Sequence, residues 1–118
     1  MAIAIGATRQ SLANSYSALG NWIGAATGNP GTSATPVNEV TGGSPAYARV
    51  QTTWSAGSGG VSNGTATTLN SPAATITYVI LASAATTGAA NMIDNCAITS
   101  VVLSGQGQIV VTPTYTQT

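Results

Sequence analysis

Charge is the scarcest thing in this chain. Charged residues make up 3% of its 118 positions, two basic and two acidic, with no histidine, where an ordinary domain carries about a quarter. Without histidine or lysine a Ser-His-Asp arrangement is impossible, and Cys96 has no base to activate it. Glu39 and Asp94 are the only carboxylates, so paired acid and base work would need folding to bring those two together. Metal sites built on Cys or His clusters are excluded, while a carbonyl-rich calcium site on Asp94 or Glu39 is left open. The glycine runs at 42–43 and 57–60 are followed by no lysine and no opening helix, so they match neither a phosphate loop nor a dinucleotide fingerprint. No catalytic residue, no cofactor and no metal site is expected, and the chain is read as a non-enzyme.

The same scarcity bounds the partners. Arg9 and Arg49 are the only basic residues, which supplies no patch to neutralise a phosphate backbone and argues against nucleic acid. No apolar run approaches the ~20 residues that cross a bilayer, so no membrane partner is expected. The first residues, MAIAIG, lack the charged start and long apolar run of a secretory signal. Cys96, alone and among apolar neighbours, is expected to be a buried structural thiol, and a single cysteine fits assembly in a reducing cytoplasm. An uncharged surface has little to keep copies apart, which points to a homo-oligomer or to burial against neighbours.

What is present is β-forming. Thr75 to Ala82, TITYVILA, has apolar residues on both parities and reads as a central strand covered on both faces. Ala48, Val50, Thr52 and Trp54 alternate with Arg49, Gln51 and Thr53, predicting a half-buried strand from Ala46. Further strands are expected over 64–70, ended by Ser71-Pro72, over 91–99 with a bulge or turn at Asp94-Asn95, and over 101–104 and 108–116. Gly105-Gln106-Gly107 looks like a hairpin connection, and Pro113 puts the last strand at an edge or bulge. Ahead of these, Ser11 reads as a helix N-cap, with Leu12, Tyr16, Leu19 and Ile23 as one apolar stripe and Gly24 or Gly28 as the stop. The expected fold is mainly β, a single antiparallel β-sandwich or small barrel of about six or seven strands with one N-terminal α-helix. Residues 1–24 would be arm and helix, 25–45 a loop, and 46–118 the β-rich core.

The chain's polar specificity concentrates between Asn38 and Trp54. Gly42-Gly43-Ser44-Pro45 is turn chemistry, and Glu39 stands ten residues before Arg49, so the two are expected either to pair across that turn or to reach a neighbouring subunit. Trp22, Tyr47, Trp54 and Tyr78 are expected at the core or its edge. Arg9 and Tyr115, near the two ends, are the candidate interface residues.

Asn38-Glu39-Val40-Thr41-Gly42-Gly43-Ser44-Pro45-Ala46-Tyr47-Ala48-Arg49 resembles the N-E-x-x-G-G-x-P-A-Y-x-R signature of a family of small tailed-bacteriophage virion proteins. They are common in phages of actinobacteria and are labelled tail fibre, minor structural or head decoration proteins. The Gly-rich turn after Trp54 and the strand around Tyr78 resemble the same family, although the histidine and glycine usual in that strand are absent. The resemblance implies a virion structural protein whose partners are the major capsid protein or other virion proteins. A fibre shaft needs repeats, and none is visible here. The expectation is therefore a head decoration or minor capsid protein, with a tail, collar or fibre-tip component contacting a host receptor or glycan as the alternative.

Overall fold

A computed structural model describes residues 2–118. One helix, α1 (Gly6–Ser17), is followed by nine strands: β1 (Trp22–Ala26), β2 (Val50–Gln51), β3 (Trp54–Ala56), β4 (Val61–Gly64), β5 (Thr67–Ser71), β6 (Ala74–Ala82), β7 (Met92–Leu103), β8 (Gly107–Val111) and β9 (Thr114–Thr116). They form a four-stranded sheet in the order β2-β1-β6-β7, a three-stranded sheet β3-β4-β9 and the pair β5-β8. All pairings are antiparallel. The fold is mainly β and sandwich-like, with more strands than the sequence predicts: the stretches from 46 and over 64–70 and 108–116 are each divided between two strands, while those expected over 91–99 and 101–104 are the single strand β7.

The central strand is where its pattern puts it. β6 lies between β1 and β7, and its two faces feed two apolar clusters. Ile76 and Leu81 join Ile23, Ala25, Val40, Tyr47, Leu69 and Ile109 in the larger one, between the main sheet and the β5-β8 pair. Ile80 and Ala82 join Ala26 and Met92 on the other side. The register with β7 shifts between Ile76 and Tyr78, and the two even-numbered isoleucines on either side of the shift, Ile76 and Ile80, serve opposite clusters.

The helix departs from expectation. It begins five residues before Ser11, with Ile5 at its N-cap and no side-chain cap, and it ends at Ser17. Ile23 belongs to β1, so the first core strand precedes the long loop. Leu12 and Leu19 are exposed, and Ala13 is the buried residue of the helix. The predicted stripe fails because α1 is docked by polar bonds to backbone. Gln10 Oε1 accepts from the N–H groups of Gly60 and Val61 at 3.0 and 3.1 Å, its Nε2 donates to the Val61 carbonyl at 2.9 Å, and Ser62 donates to the Ala13 carbonyl at 3.1 Å. Gly20 then lets the chain turn against the Ala82 carbonyl, where any Cβ would collide.

Other expectations are corrected in detail. The strand predicted from Ala46 is β2 and β3 with a break at Thr52-Thr53, and its parity holds for Val50, Thr52 and Trp54 but reverses before them, where Tyr47 and Arg49 are buried and Ala48 is exposed. The Gly-rich stretch after Trp54 does reverse the chain, and β3 and β4 pair antiparallel across it, with strand reaching into both of its ends. Asp94 and Asn95 do not interrupt β7; they pair with Leu81 and Ile80, and the irregularity falls beside them, between Leu81 and Ala82. Ser104 to Gln106 is not a hairpin, because β7 pairs with β6 while β8 crosses to β5. Cys96 is exposed rather than buried, since its position on β7 faces the rim of a hollow instead of the core.

Leu69→Ala should destabilise the chain by about 2–5 kcal/mol, since Leu69 is 0% exposed within the main cluster. Leu12→Ala, at a 42% exposed position, should change stability by less than about 0.5 kcal/mol. Urea unfolding of the two variants checks the contrast.

Candidate functional site

The signature residues converge on β1. Val40 donates its N–H to the Ala25 carbonyl and Thr27 to the Asn38 carbonyl, both at 3.0 Å, so residues 38–40 lie along the strand. Asn38 holds a positive φ of 61°, a conformation asparagine tolerates better than most residues, and its Nδ2 donates to the Asn29 carbonyl at 3.1 Å. Gly42 and Gly43 take φ of 84° and 97°, which suits glycine alone. The chain turns through Ser44 and Pro45, joined by a cis peptide, and Gln106 clamps this turn from the β7–β8 connection. Gln106 Oε1 accepts from the Ser44 N–H and its Nε2 donates to the Pro45 carbonyl, both at 3.0 Å.

The turn returns Tyr47 and Arg49 to Glu39. Arg49 donates from Nε to Oε2 at 2.8 Å and from Nη2 to Oε1 at 2.9 Å, a two-pronged pair in which the arginine side chain is 0% and the glutamate side chain 4% exposed. The Tyr47 hydroxyl donates to Oε2 at 2.8 Å and accepts from the Ala25 N–H at 3.0 Å. Gly88 N–H donates to Oε1 at 3.0 Å. The remaining prong of Arg49 donates to the Ala84 carbonyl at 3.0 Å and to Asn91 Oδ1 at 2.7 Å. Buried charge is tolerable only when paired and bonded in this way, and no buried side-chain polar atom lacks a partner among the described residues. The cluster thereby ties 38–40, the turn and the 84–91 loop to the main sheet.

Gly24 makes room for it. A Cβ there would stand 2.6 Å from the Tyr47 hydroxyl and 3.0 Å from Glu39 Oε2. Gly24, one of the two glycines expected to stop the helix, lies in β1 and serves close approach instead, a role no local pattern signals. Gln106 was likewise invisible, lying 62 residues from Ser44.

The two candidate interface residues are engaged within the chain. Arg9 donates from Nε to the Gly59 carbonyl at 2.8 Å and from Nη1 to the Ile3 carbonyl. Tyr115 stacks on Tyr16 with ring centres 3.6 Å apart and planes 7° from parallel. Tyr16 donates its hydroxyl to Asp94 Oδ2 at 2.8 Å. Burial, reinforced by that bond, raises the Tyr16 phenol above its ordinary value. Burial also raises Tyr47, helped by the Glu39 charge and opposed by the Ala25 N–H. Cys96 is pushed up by partial burial and then by Asp94, so its thiol is held in the unreactive form. No group of three potential metal ligands forms among the described residues, and no helix is long and apolar enough to cross a membrane.

Sheet, turn and buried cluster together define a small antiparallel β module whose polar signature is directed inward. A family model gives its kind: residues 9–114 match that of the podophage GP4 fiber I protein gp80. The chain belongs to this family, and so to the structural proteins of the bacteriophage virion. Neither the curated proteins nor the solved structures return a match.

Gly24→Ala should cost about 1–3 kcal/mol by forcing the Tyr47 hydroxyl off its partners, whereas Gly105→Ala, where a Cβ meets nothing within 4 Å, should be nearly silent; thermal melts of both variants check this. A second expectation concerns alkali. Tyr16 and Tyr47 have raised values in the folded state, so above the ordinary tyrosine value of about 10 the unfolded chain loses protons that the folded chain keeps. Stability should be level through neutral pH and fall as pH rises past about 10, read as the melting midpoint across a pH series.

Proposed function

We propose that this protein is a non-enzymatic module of the phage fibre apparatus, a compact link or tip and not a shaft. The observation that carries the reading is the match of nearly the whole chain to a family described as a fibre protein. Its dimensions fit: 46 × 25 × 22 Å is the size of one link, and the sequence has no repeat from which to build length. The surface supports association with copies of itself and with other virion proteins. β7 is the outer strand of its sheet, it contains neither lysine nor proline, and Val102 on it is 71% exposed, as is much of Val110 on β8.

A second reading, a head decoration protein on the major capsid shell, is favoured by the compact unrepeated β module and its near-absence of charge. Copy number separates the two. Quantitative mass spectrometry of purified particles should give about a dozen copies or fewer for a fibre component, a number set by the symmetry of the tail. Hundreds of copies per particle would overturn the fibre reading in favour of the shell.

A further inference from the structure

α1 is held to the body almost entirely by hydrogen bonds and one ring stack. It contributes no residue to the buried part of either apolar cluster, and Tyr16 alone packs against one of them. Ala13 is its one buried residue. The seat is a single surface on two paired strands. On β4, the Gly60 and Val61 backbone takes three bonds from Gln10, and Ser62 donates to the Ala13 carbonyl. Next to it on β9, Tyr115, which pairs with Ser62, stacks on Tyr16. Bonds of this kind are exchanged for bonds to water when the helix leaves, so each holds it by little.

The helix is also weak by itself. It has no side-chain N-cap, no acidic residue in its first turn and no basic residue in its last. Glycine, threonine, serine and asparagine occupy six of its 12 positions, and a helix of that length is marginal without tertiary support. Immediately after it the chain is anchored again. The Gly20 carbonyl accepts from Trp54 Nε1 at 2.9 Å, and the Asn21 carbonyl from the Thr52 N–H at 2.8 Å. Ala18 and Leu19 are therefore the only residues between the helix and a fixed point, and they form the hinge.

We propose that α1 is a latch that opens as a unit while the β body stays folded, and that it seats on the same β4-β9 surface of a neighbouring copy. That seat takes Gln10, Ala13 and Tyr16 from any copy alike, so the occupant is the α1 of this same chain. Copies held side by side raise the effective concentration of the neighbour's helix and favour exchange. A hinge of two residues confines the exchange to copies in direct contact. The inference deepens the association of copies proposed above and rests on that reading for its setting.

Two NMR measurements on the full chain test it. The first is amide hydrogen exchange in low concentrations of urea. The bonded amides from Arg9 to Ala18 should exchange at least about a hundredfold faster than those of Ile76 and Ile80, with little dependence on urea, because local opening exposes little surface. Equal rates and equal urea slopes in α1 and β6 would overturn the latch. The second uses a concentrated mixture of isotope-labelled and unlabelled chains. Filtered NOEs are expected from Ala13 and Tyr16 of one copy to Ser62 and Tyr115 of another. A chain that stays monomeric, or an oligomer with only intramolecular contacts to α1, would overturn the exchange. Gln10→Ala should raise α1 exchange about tenfold and abolish the intermolecular NOEs, since it weakens both seats alike; unchanged exchange and NOEs would count against the seat. Ser62→Ala, which removes a donor from the body side, should act in the same direction. Copy number decides between fibre and shell without reference to α1, so either result can fail while the other stands.

Discussion

The structure depends on one ion pair that water does not reach. Glu39 and Arg49 meet inside the protein with both side chains almost wholly enclosed, a location where an unpaired charge would cost several kcal/mol. What makes it tolerable is the completeness of the bonding. The carboxylate accepts from both prongs of Arg49, from Tyr47 and from Gly88, and the guanidinium's remaining prong is taken by Ala84 and Asn91. Such an arrangement contributes less through Coulomb attraction than through selectivity. Any register of the long loop that separates the partners strands a charge, so the pair chooses one path for residues 27–49 over β1. In a chain that is 3% charged, half the charged side chains serve this purpose.

From this pair the other features of the signature follow. Two glycines and an asparagine at positive φ bend the chain so that Tyr47 and Arg49 return within reach, Gln106 fixes the turn from a distant connection, and Gly24 leaves the space the cluster occupies. The outer surface is left nearly uncharged, which suits a protein that lives among other virion proteins. The two charges left outside the pair are Asp94, oriented by neutral donors on β7, and Arg9, bonded to the Gly59 and Ile3 carbonyls.

Much of this was legible in the residues and some was not. β6 could be read because apolar residues on both parities mean two covered faces, whatever lies around them. The Glu39–Arg49 pair was legible because scarcity made a pairing of the few charges economical to suppose and a turn lay between them. The helix was misread because a spacing of four, three and four continued by coincidence through Leu19 and Ile23, past the true end at Ser17. Its docking by Gln10 and Ser62 bonds backbone, and backbone partners leave no pattern in sequence. The same limit hid Gln106, and it turned the β7–β8 connection from a crossover into an apparent hairpin. Cys96 was placed in the core on the strength of apolar neighbours, but the outer edge of a sheet has apolar neighbours too.

The central claim is that Glu39 and Arg49 act as one unit, and a double-mutant cycle of Glu39→Gln, Arg49→Met and the pair, followed by urea unfolding, addresses it most directly. If the account is right, each single change costs about 3–5 kcal/mol because it strands a buried partner, and the double variant costs no more than the worse single one, giving a coupling at least as large as the smaller single cost, about 3 kcal/mol or more. Costs that simply add, with no coupling, would contradict it.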